Sequence, residues 1–489
     1  MSVDQVRVPI PASDQTWLHM DRPNNLMHVH SLMWFGPEPP AWDEVLALVQ
    51  RAIVDKFPVF HRVPVDDGSW FWEDDPHFDL THHVRQTTLP AGTDVEGLRD
   101  YIGRRFSDPF EHGRPMWTME LIPDVSGLAD EPRTVIFSRF HHSLADGIRL
   151  VQLLLSLCET THAAALPPAV GRAPGGGPVA AGLDVVRRGA SDAWDLARGT
   201  VAGALSLPGK VTRLGPAALE HGWDLLVHPG HLIDAVSALT SERNQSANTV
   251  AEVTRILAAG RSVRTSWSGT PGIDKQVAWV TGLELTRIRA TGKKYGGTVN
   301  DILLAVISRA MTRYLQEQRA PVEEIAWLVP VSLSPFDADL PPELGNHFSL
   351  IFLPMPLGVR NPQQLVDQIR GHMTRIKESA EPVVTFGIQW VLAESPKAVA
   401  VALTNLFANK AVGVLTNVPG PRVPMTFAGA PLAGMIGWAP CSGDEPMSLS
   451  IFSYNGEVTL AVAADAALVP DPQRIADLIS EEFEDFTVR

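Results

Sequence analysis

Prolines and glycines divide this chain. Pro167-Pro168 and the run Ala173 to Pro178, with Gly175-Gly176-Gly177 inside it, form a stretch that neither a helix interior nor a central strand accommodates. On both sides, apolar runs of strand length alternate with segments whose apolar residues recur at helical spacing. The 489 residues allow about three domains or two larger ones. The break favours two mixed α/β halves, 1–165 and 263–489, joined by a helical linker at 166–262. No similarity recurs at a period of roughly 20–50 residues, so a solenoid is excluded.

In the first half, strand character runs from Leu26 to Phe35, at Gly68–Trp72, at Thr118–Ile122 and at Thr134–Phe140. Helices are predicted over Trp42–Phe57 and Asp94–Phe106, and a third ends near Thr161. The linker segment 183–239 is amphipathic, with Trp194, Trp223, Leu225 and Leu226 among polar residues. It reads as helices packed on the domains or as a surface that touches lipid. In the second half, strands are predicted at Gln276–Val280, Ile325–Ser332, Phe348–Met355, Gly413–Asn417, Met447–Tyr454 and Val458–Ala463. Helices are predicted at Asn300–Leu315, Pro362–Lys377 and Asp471–Phe486.

One strand-to-helix junction carries chemistry. His141-His142-Ser143-Leu144-Ala145-Asp146-Gly147 follows the apolar run Val135-Ile136-Phe137 and precedes Leu150, Leu153, Leu154 and Leu157. A histidine in such a loop can take a proton near neutral pH. Asp suits a tight loop through bonds to its own backbone, and Gly permits a turn or leaves room for a ligand. A second pair, His82-His83, is followed by Val84-Arg85-Gln86 with no Asp-Gly, and reads as strand-borne and structural.

Composition narrows the partners. Forty Lys and Arg against 55 Asp and Glu give a net charge of −15, a poor match to nucleic acid or to electrostatic attachment on anionic lipid. Two cysteines, Cys158 and Cys441, cannot build a zinc cluster or a disulfide framework. A signal peptide and an 18–20-residue apolar span are both missing, so the expected location is cytoplasmic, with membrane contact limited to a peripheral, apolar one. No G-x-S-x-G, Walker A, H-E-x-x-H or G-x-G-x-x-G motif occurs, which disfavours a serine acyl-enzyme, a zinc hydrolase and a dinucleotide enzyme.

The heptapeptide His141 to Gly147 is the pattern HHxxxDG, and it resembles the active-site signature of bacterial wax ester synthase/acyl-CoA:diacylglycerol acyltransferases. Further segments resemble that family: Asn24 to Val29, Arg114-Pro115-Met116-Trp117 with Met in place of the family's Leu, and Thr298-Val299-Asn300-Asp301. Leu344-Gly345-Asn346, Thr416 to Pro421 and Ser453 to Gly456 extend the match across residues 12–475, most weakly at 165–260. The family shares its fold with chloramphenicol acetyltransferase and nonribosomal condensation domains. The resemblance therefore implies two chloramphenicol-acetyltransferase-like α/β halves with a site at their interface.

It implies His142 as general base, His141 and Asp146 as loop-holding members of the site, and Asn300 as a donor to the oxyanion. Thr298 and Asp301 also fit a plain helix cap. Gly147, Pro115, Trp117 and Asp301 are expected at substrate-binding positions. Gly292-Lys293-Lys294 and Gly296-Gly297 read as a solvated loop or a contact to the phosphates of coenzyme A. The implied reaction moves a long acyl chain from acyl-CoA, a substrate, to diacylglycerol or a fatty alcohol, with no metal or bound cofactor. Peripheral contact with a membrane or lipid droplet is compatible with it. Two other readings are an acyltransferase using a carrier-protein thioester, for which no attached carrier module is present, and a non-catalytic protein that coats lipid droplets.

Overall fold

The computed structural model describes residues 7–160, 263–332, 339–378 and 397–488. The linker 166–262, including the amphipathic segment 183–239, lies outside them. The first half runs β1 (Arg7–Pro9), α1 (Ala12–Met20), β2 (His28–Phe35), α2 (Trp42–Val49), β3 (Arg62–Asp66) and β4 (Trp70–Asp74). It continues through α3 (Leu80–His83), β5 (Val84–Gln86), α4 (Val95–Phe106), β6 (Trp117–Val125), β7 (Arg133–His141), α5 (Gly147–Ser156) and β8 (Cys158–Thr160). The second half begins with β9 (Lys275–Glu284), α6 (Leu285–Tyr295), α7 (Val299–Glu317), β10 (Glu324–Ser332), β11 (Phe348–Pro356), α8 (Pro362–Glu378) and α9 (Lys397–Ala408). It ends with β12 (Gly413–Pro419), β13 (Met425–Phe427), β14 (Ala430–Trp438), β15 (Met447–Tyr454), β16 (Glu457–Asp465) and α10 (Pro472–Phe486).

The mixed α/β architecture matches the sequence expectation, and the predicted strands lie within or beside observed ones. Helices α1 and α9 and strands β13 and β14 were not predicted, and other details differ. The helix after the HHxxxDG loop stops at Ser156, because Cys158–Thr160 pairs antiparallel with β13. The pair His82-His83 ends a short helix, and the strand begins only at Val84. Helix α6 was not anticipated, since its sequence LTRIRATGKKY carries few apolar residues.

A seven-stranded sheet has the order β5-β6-β7-β2-β14-β13-β8, and a six-stranded sheet the order β11-β10-β12-β15-β16-β9. The first sheet thus takes two strands, β13 and β14, from the second half, with β14 antiparallel to β2. Being buried on both faces explains why β2 and β7 read as apolar runs without alternation. Helices α6, α7, α8 and α10 cover one face of the six-stranded sheet around Trp327, Leu449 and Leu460. Helix α4 joins the sheets: Leu98 and Ile102 pack with Val277 and Trp279 of β9. A Cβ at Gly103 would lie 2.6 Å from the Lys275 carbonyl oxygen, so only glycine permits that approach.

Candidate active site

The site begins where β7 ends. Asp146 caps α5, its Oδ1 accepting from the Arg149 N–H at 2.9 Å. Its Oδ2 accepts from the His347 N–H at 2.9 Å, so one carboxylate fixes a helix start in the first half and a strand start in the second. The Asp146 N–H donates to Gly345 O at 3.3 Å, and the Gly345 N–H donates to Leu144 O at 3.2 Å. Arg149 donates to the carbonyls of Leu344 and Gly345. Gly345 has φ of +79°, and a Cβ there would meet Asp14 Oδ2 at 3.2 Å, which accounts for the glycine. The turn Leu344-Gly345-Asn346 thus clasps the HHxxxDG loop.

His142 is held by both halves. Its N–H donates to Met27 O at 2.7 Å, and its carbonyl accepts from Asn346 Nδ2 at 2.8 Å. The ring stacks on Trp17 with centroids 3.9 Å apart and planes 21° apart, and Phe348 lies 5.7 Å away. Burial pushes its pKa down to about 4, partly offset by its own backbone and by the Asn346 side chain. The imidazole is therefore neutral at ordinary pH and keeps a lone pair for an incoming proton.

His141 is turned into the scaffold. Its Nδ1 accepts from the Ser143 N–H at 3.1 Å, and its Nε2 faces Asp21 Oδ2 at 3.8 Å. Because a main-chain N–H only donates, the proton belongs on Nε2. Asp21 Oδ1 in turn accepts from the Met27 N–H at 2.7 Å, so His141 braces the segment that holds the His142 backbone.

A cavity of about 900 Å³, counting its open mouth, runs from His142 between the halves. Val29, Phe140, Leu150 and Leu154 line it from the first half, and Thr416, Asn417, Met435 and Ile451 from the second. Asp146 and Gly147 also line it. Gly147 has no left-handed backbone, and a Cβ there would meet nothing within 4 Å, so its glycine leaves space rather than enabling a turn.

Asn300 stands at the start of α7 and reaches the cavity through a neighbour: its Oδ1 accepts from Nδ2 of the cavity-lining Asn417 at 2.8 Å. Asp301 completes a capping box, accepting from the Thr298 N–H and hydroxyl at 2.8 Å each. Trp117 is fully buried in the first-half core, its indole N–H on Phe60 O at 2.8 Å, and lies outside the cavity wall. Pro115 is buried just before it and is likewise not in that wall. Gly292 is inside α6, where a Cβ would strike Gly297 O at 2.6 Å, while Lys293 and Lys294 are exposed. Among the described residues, no group of three or more His, Cys, Asp or Glu could hold a metal ion.

Sequence reasoning missed Asp14 and Trp17, one turn apart on α1, and gave Asn346 no role beyond its motif. Asp14 is buried, and its Oδ1 accepts from the Asn346 N–H at 3.0 Å and from Asn346 Nδ2 at 2.9 Å. Burial raises its pKa to about 7, opposed by the Asn346 bonds and the Arg149 charge.

The chain matches the family model described as the wax ester synthase/diacylglycerol acyltransferase catalytic domain over residues 10–303, and that of the WS/DGAT C-terminal domain over 344–487. It is 23% identical over 500 residues to an O-acyltransferase of Acinetobacter baylyi, covering 98% of this chain and 96% of that one. A Mycobacterium tuberculosis protein named as a diacylglycerol O-acyltransferase is 25% identical, covering 85% of this chain and 76% of that one. Among solved structures, the wax ester synthase/diacylglycerol acyltransferase from Marinobacter aquaeolei superposes with a TM-score of 0.63 at 20% identity, covering 98% of both chains. A trichothecene 15-O-acetyltransferase from Fusarium sporotrichioides gives 0.57 at 12% identity, covering 100% of this chain and 96% of that one. The first condensation domain of the calcium-dependent antibiotic synthetase gives 0.55 at 11%, covering 99% and 97%.

Proposed function

This chain belongs to the wax ester synthase/diacylglycerol acyltransferase family, and we propose that it transfers a long acyl chain from acyl-CoA to diacylglycerol, with fatty alcohols as further acceptors and His142 as the general base. It is an acyltransferase. The observation that carries the reading of the site is His142 itself: a neutral, desolvated imidazole on the wall of an apolar cavity between the halves.

A hydroxyl is a poor nucleophile until its proton is being removed, and a positioned base contributes ~10² to 10⁴ in rate. His142 takes the proton as the acceptor oxygen bonds to the thioester carbon. The carbonyl oxygen carries the negative charge of the tetrahedral intermediate. Its collapse breaks the C–S bond, and the proton passes from His142 to the departing thiolate, leaving ester and coenzyme A. The amide of Asn300, held by Asn417, is the candidate donor to that oxygen, a contribution of ~10² to 10³. The apolar walls suit an acyl chain, and Gly147 leaves it room.

Such substrates are delivered from lipid, so peripheral contact with a membrane or droplet is part of this reading. No helix among the described residues is long and apolar enough to cross a membrane. The side chains of Ile273 and Leu406 are exposed, which supports a local apolar contact.

Labelled palmitoyl-CoA supplied with diacylglycerol or hexadecanol, beside a His142→Ala variant, tests the proposal. Turnover with either acceptor is expected from the wild type and a loss of ~10² to 10⁴ from the variant. Equal turnover by both would sink the mechanism, and no turnover with either acceptor would favour a lipid-binding role.

A further inference from the structure

We propose that Trp17 is a positioning residue for acyl transfer: its indole face holds the plane of the His142 ring and stabilises the positive charge that the ring acquires on taking the proton of the alcohol. The proposal rests on His142 being the base. Trp17 and Asp14 stand one turn apart on α1 and so share a face of that helix. Asp14 accepts from the main-chain N–H and the side-chain amide of Asn346, which anchors α1 against the turn that clasps the loop. The indole is laid on the imidazole with centroids 3.9 Å apart and planes 21° apart. Phe348 lies beside the stack, 5.9 Å from Trp17 and 5.7 Å from His142.

Such a contact acts differently on the two protonation states. Against a neutral imidazole the indole offers mainly dispersion. Against an imidazolium it presents a negative π face within the ~6 Å reach of a cation–π contact, and Trp has the strongest such face among the side chains. The gain is therefore larger once the proton is moving, which is the condition for an interaction to raise kcat rather than binding. The surroundings make the contact matter. Among the described residues no carboxylate pairs with the His142 ring; Asp21, which faces the histidine pair, lies on His141. A buried cation without an anion is costly, and the indole stacked on its face offsets part of that cost.

The titratable and charged side chains around the ring are His141 and Asp146 on the loop, Arg149 on α5, Asp14 on α1, Asp21 just after it and His347 just before β11. Each carboxylate among them is engaged elsewhere: Asp14 with Asn346, Asp146 with the Arg149 and His347 N–H groups, and Asp21 with the Met27 N–H.

Site-specific replacement of Trp17 in the full chain by mono-, di- and trifluorotryptophan drains the π face in steps while nearly preserving the shape of the ring. Burial sets the Asp14 titration at about 7, so single-turnover transfer from palmitoyl-CoA to hexadecanol is followed at about pH 8.5 to keep that group out of the readout. The rate should fall progressively along the series, by about 2- to 30-fold in total, with KM for both substrates little changed. Trp17→Phe should keep more of the rate than Trp17→Leu, because phenyl retains a weaker π face and leucine has none. Rates that stay flat across the folded fluorinated series, or a folded Trp17→Leu enzyme at the wild-type rate, would overturn the proposal and leave Trp17 a packing residue, even where His142→Ala abolishes turnover. Turnover kept by His142→Ala would remove the base reading instead.

Discussion

The chain contains two adjacent histidine pairs, and the fold treats them oppositely. His83 is buried in the first-half core, stacked between Phe78 and Trp117, and its Nδ1–H donates to Trp117 O at 2.9 Å. Its neighbour His82 is exposed. His142 also stacks on an aromatic ring, but on one face only, and it borders the cavity between the halves. Both buried imidazoles have pKa values lowered by desolvation. Burial is therefore no mark of a base. What separates the pairs is that His142 sits where two parts of the chain meet and leave space.

The sharpest way to break this contrast is to truncate one buried ring in each pair. His142→Ala should lower kcat/KM by ~10² to 10⁴ and leave the fold intact. His83→Ala should do the reverse, costing about 2–4 kcal/mol in urea unfolding through the vacated ring and the freed carbonyl, with kcat/KM unchanged in the folded fraction. A comparable activity loss in both would erase the distinction.

Asp146→Ala comes next. It removes a helix cap worth about 0.5–2 kcal/mol and strands the His347 N–H, at about 1–3 kcal/mol. Unfolding free energy should fall by about 2–4 kcal/mol, and kcat should fall with it because the loop loses its tie to the second half. A fall in stability with wild-type kcat would show that the clasp does not position the base.

The pH dependence sharpens the contrast by a smaller effect. A histidine whose folded pKa lies below 6.5 contributes stability that is present above about pH 6.5 and lost as pH falls through the folded value, about 4 for His142. The acid limb of kcat/KM should accordingly lie well below the ordinary histidine range and vanish from the profile with His142→Ala. A limb at 6.5 or higher would mean the free enzyme does not desolvate this ring. Smallest of all, Trp117→Phe should cost about 1–2 kcal/mol through the lost bond to Phe60 O, with no change in KM for either substrate. A raised KM would restore Trp117 to the substrate-binding role that its sequence motif suggested.

How far the sequence reached follows from the range of the forces involved. The strand–loop–helix around His141 to Gly147 was legible because its signals are local: an apolar run, a capping Asp and leucines at helical spacing. The capping box at Thr298 and Asp301 was legible for the same reason. Trp17, Asp14 and Asn346 carried no local signal toward His142, since Trp17 and Asp14 look like any residues on a short helix and Asn346 like any turn residue. Strands β13 and β14 were equally silent about joining the other half's sheet, and the end of α5 moved because Cys158–Thr160 pairs with a partner far along the chain.

By itself, then, the sequence determined two α/β halves, the displayed histidine and the membership that its motifs announce, all set by periodicity and short-range chemistry. Only the tertiary structure decided that Asp146 and Asn346 tie the halves together at that histidine, that Trp117 belongs to the core, and that Gly147 borders open space. Those outcomes depend on which surfaces meet when the two sheets close, and no local run of residues encodes that.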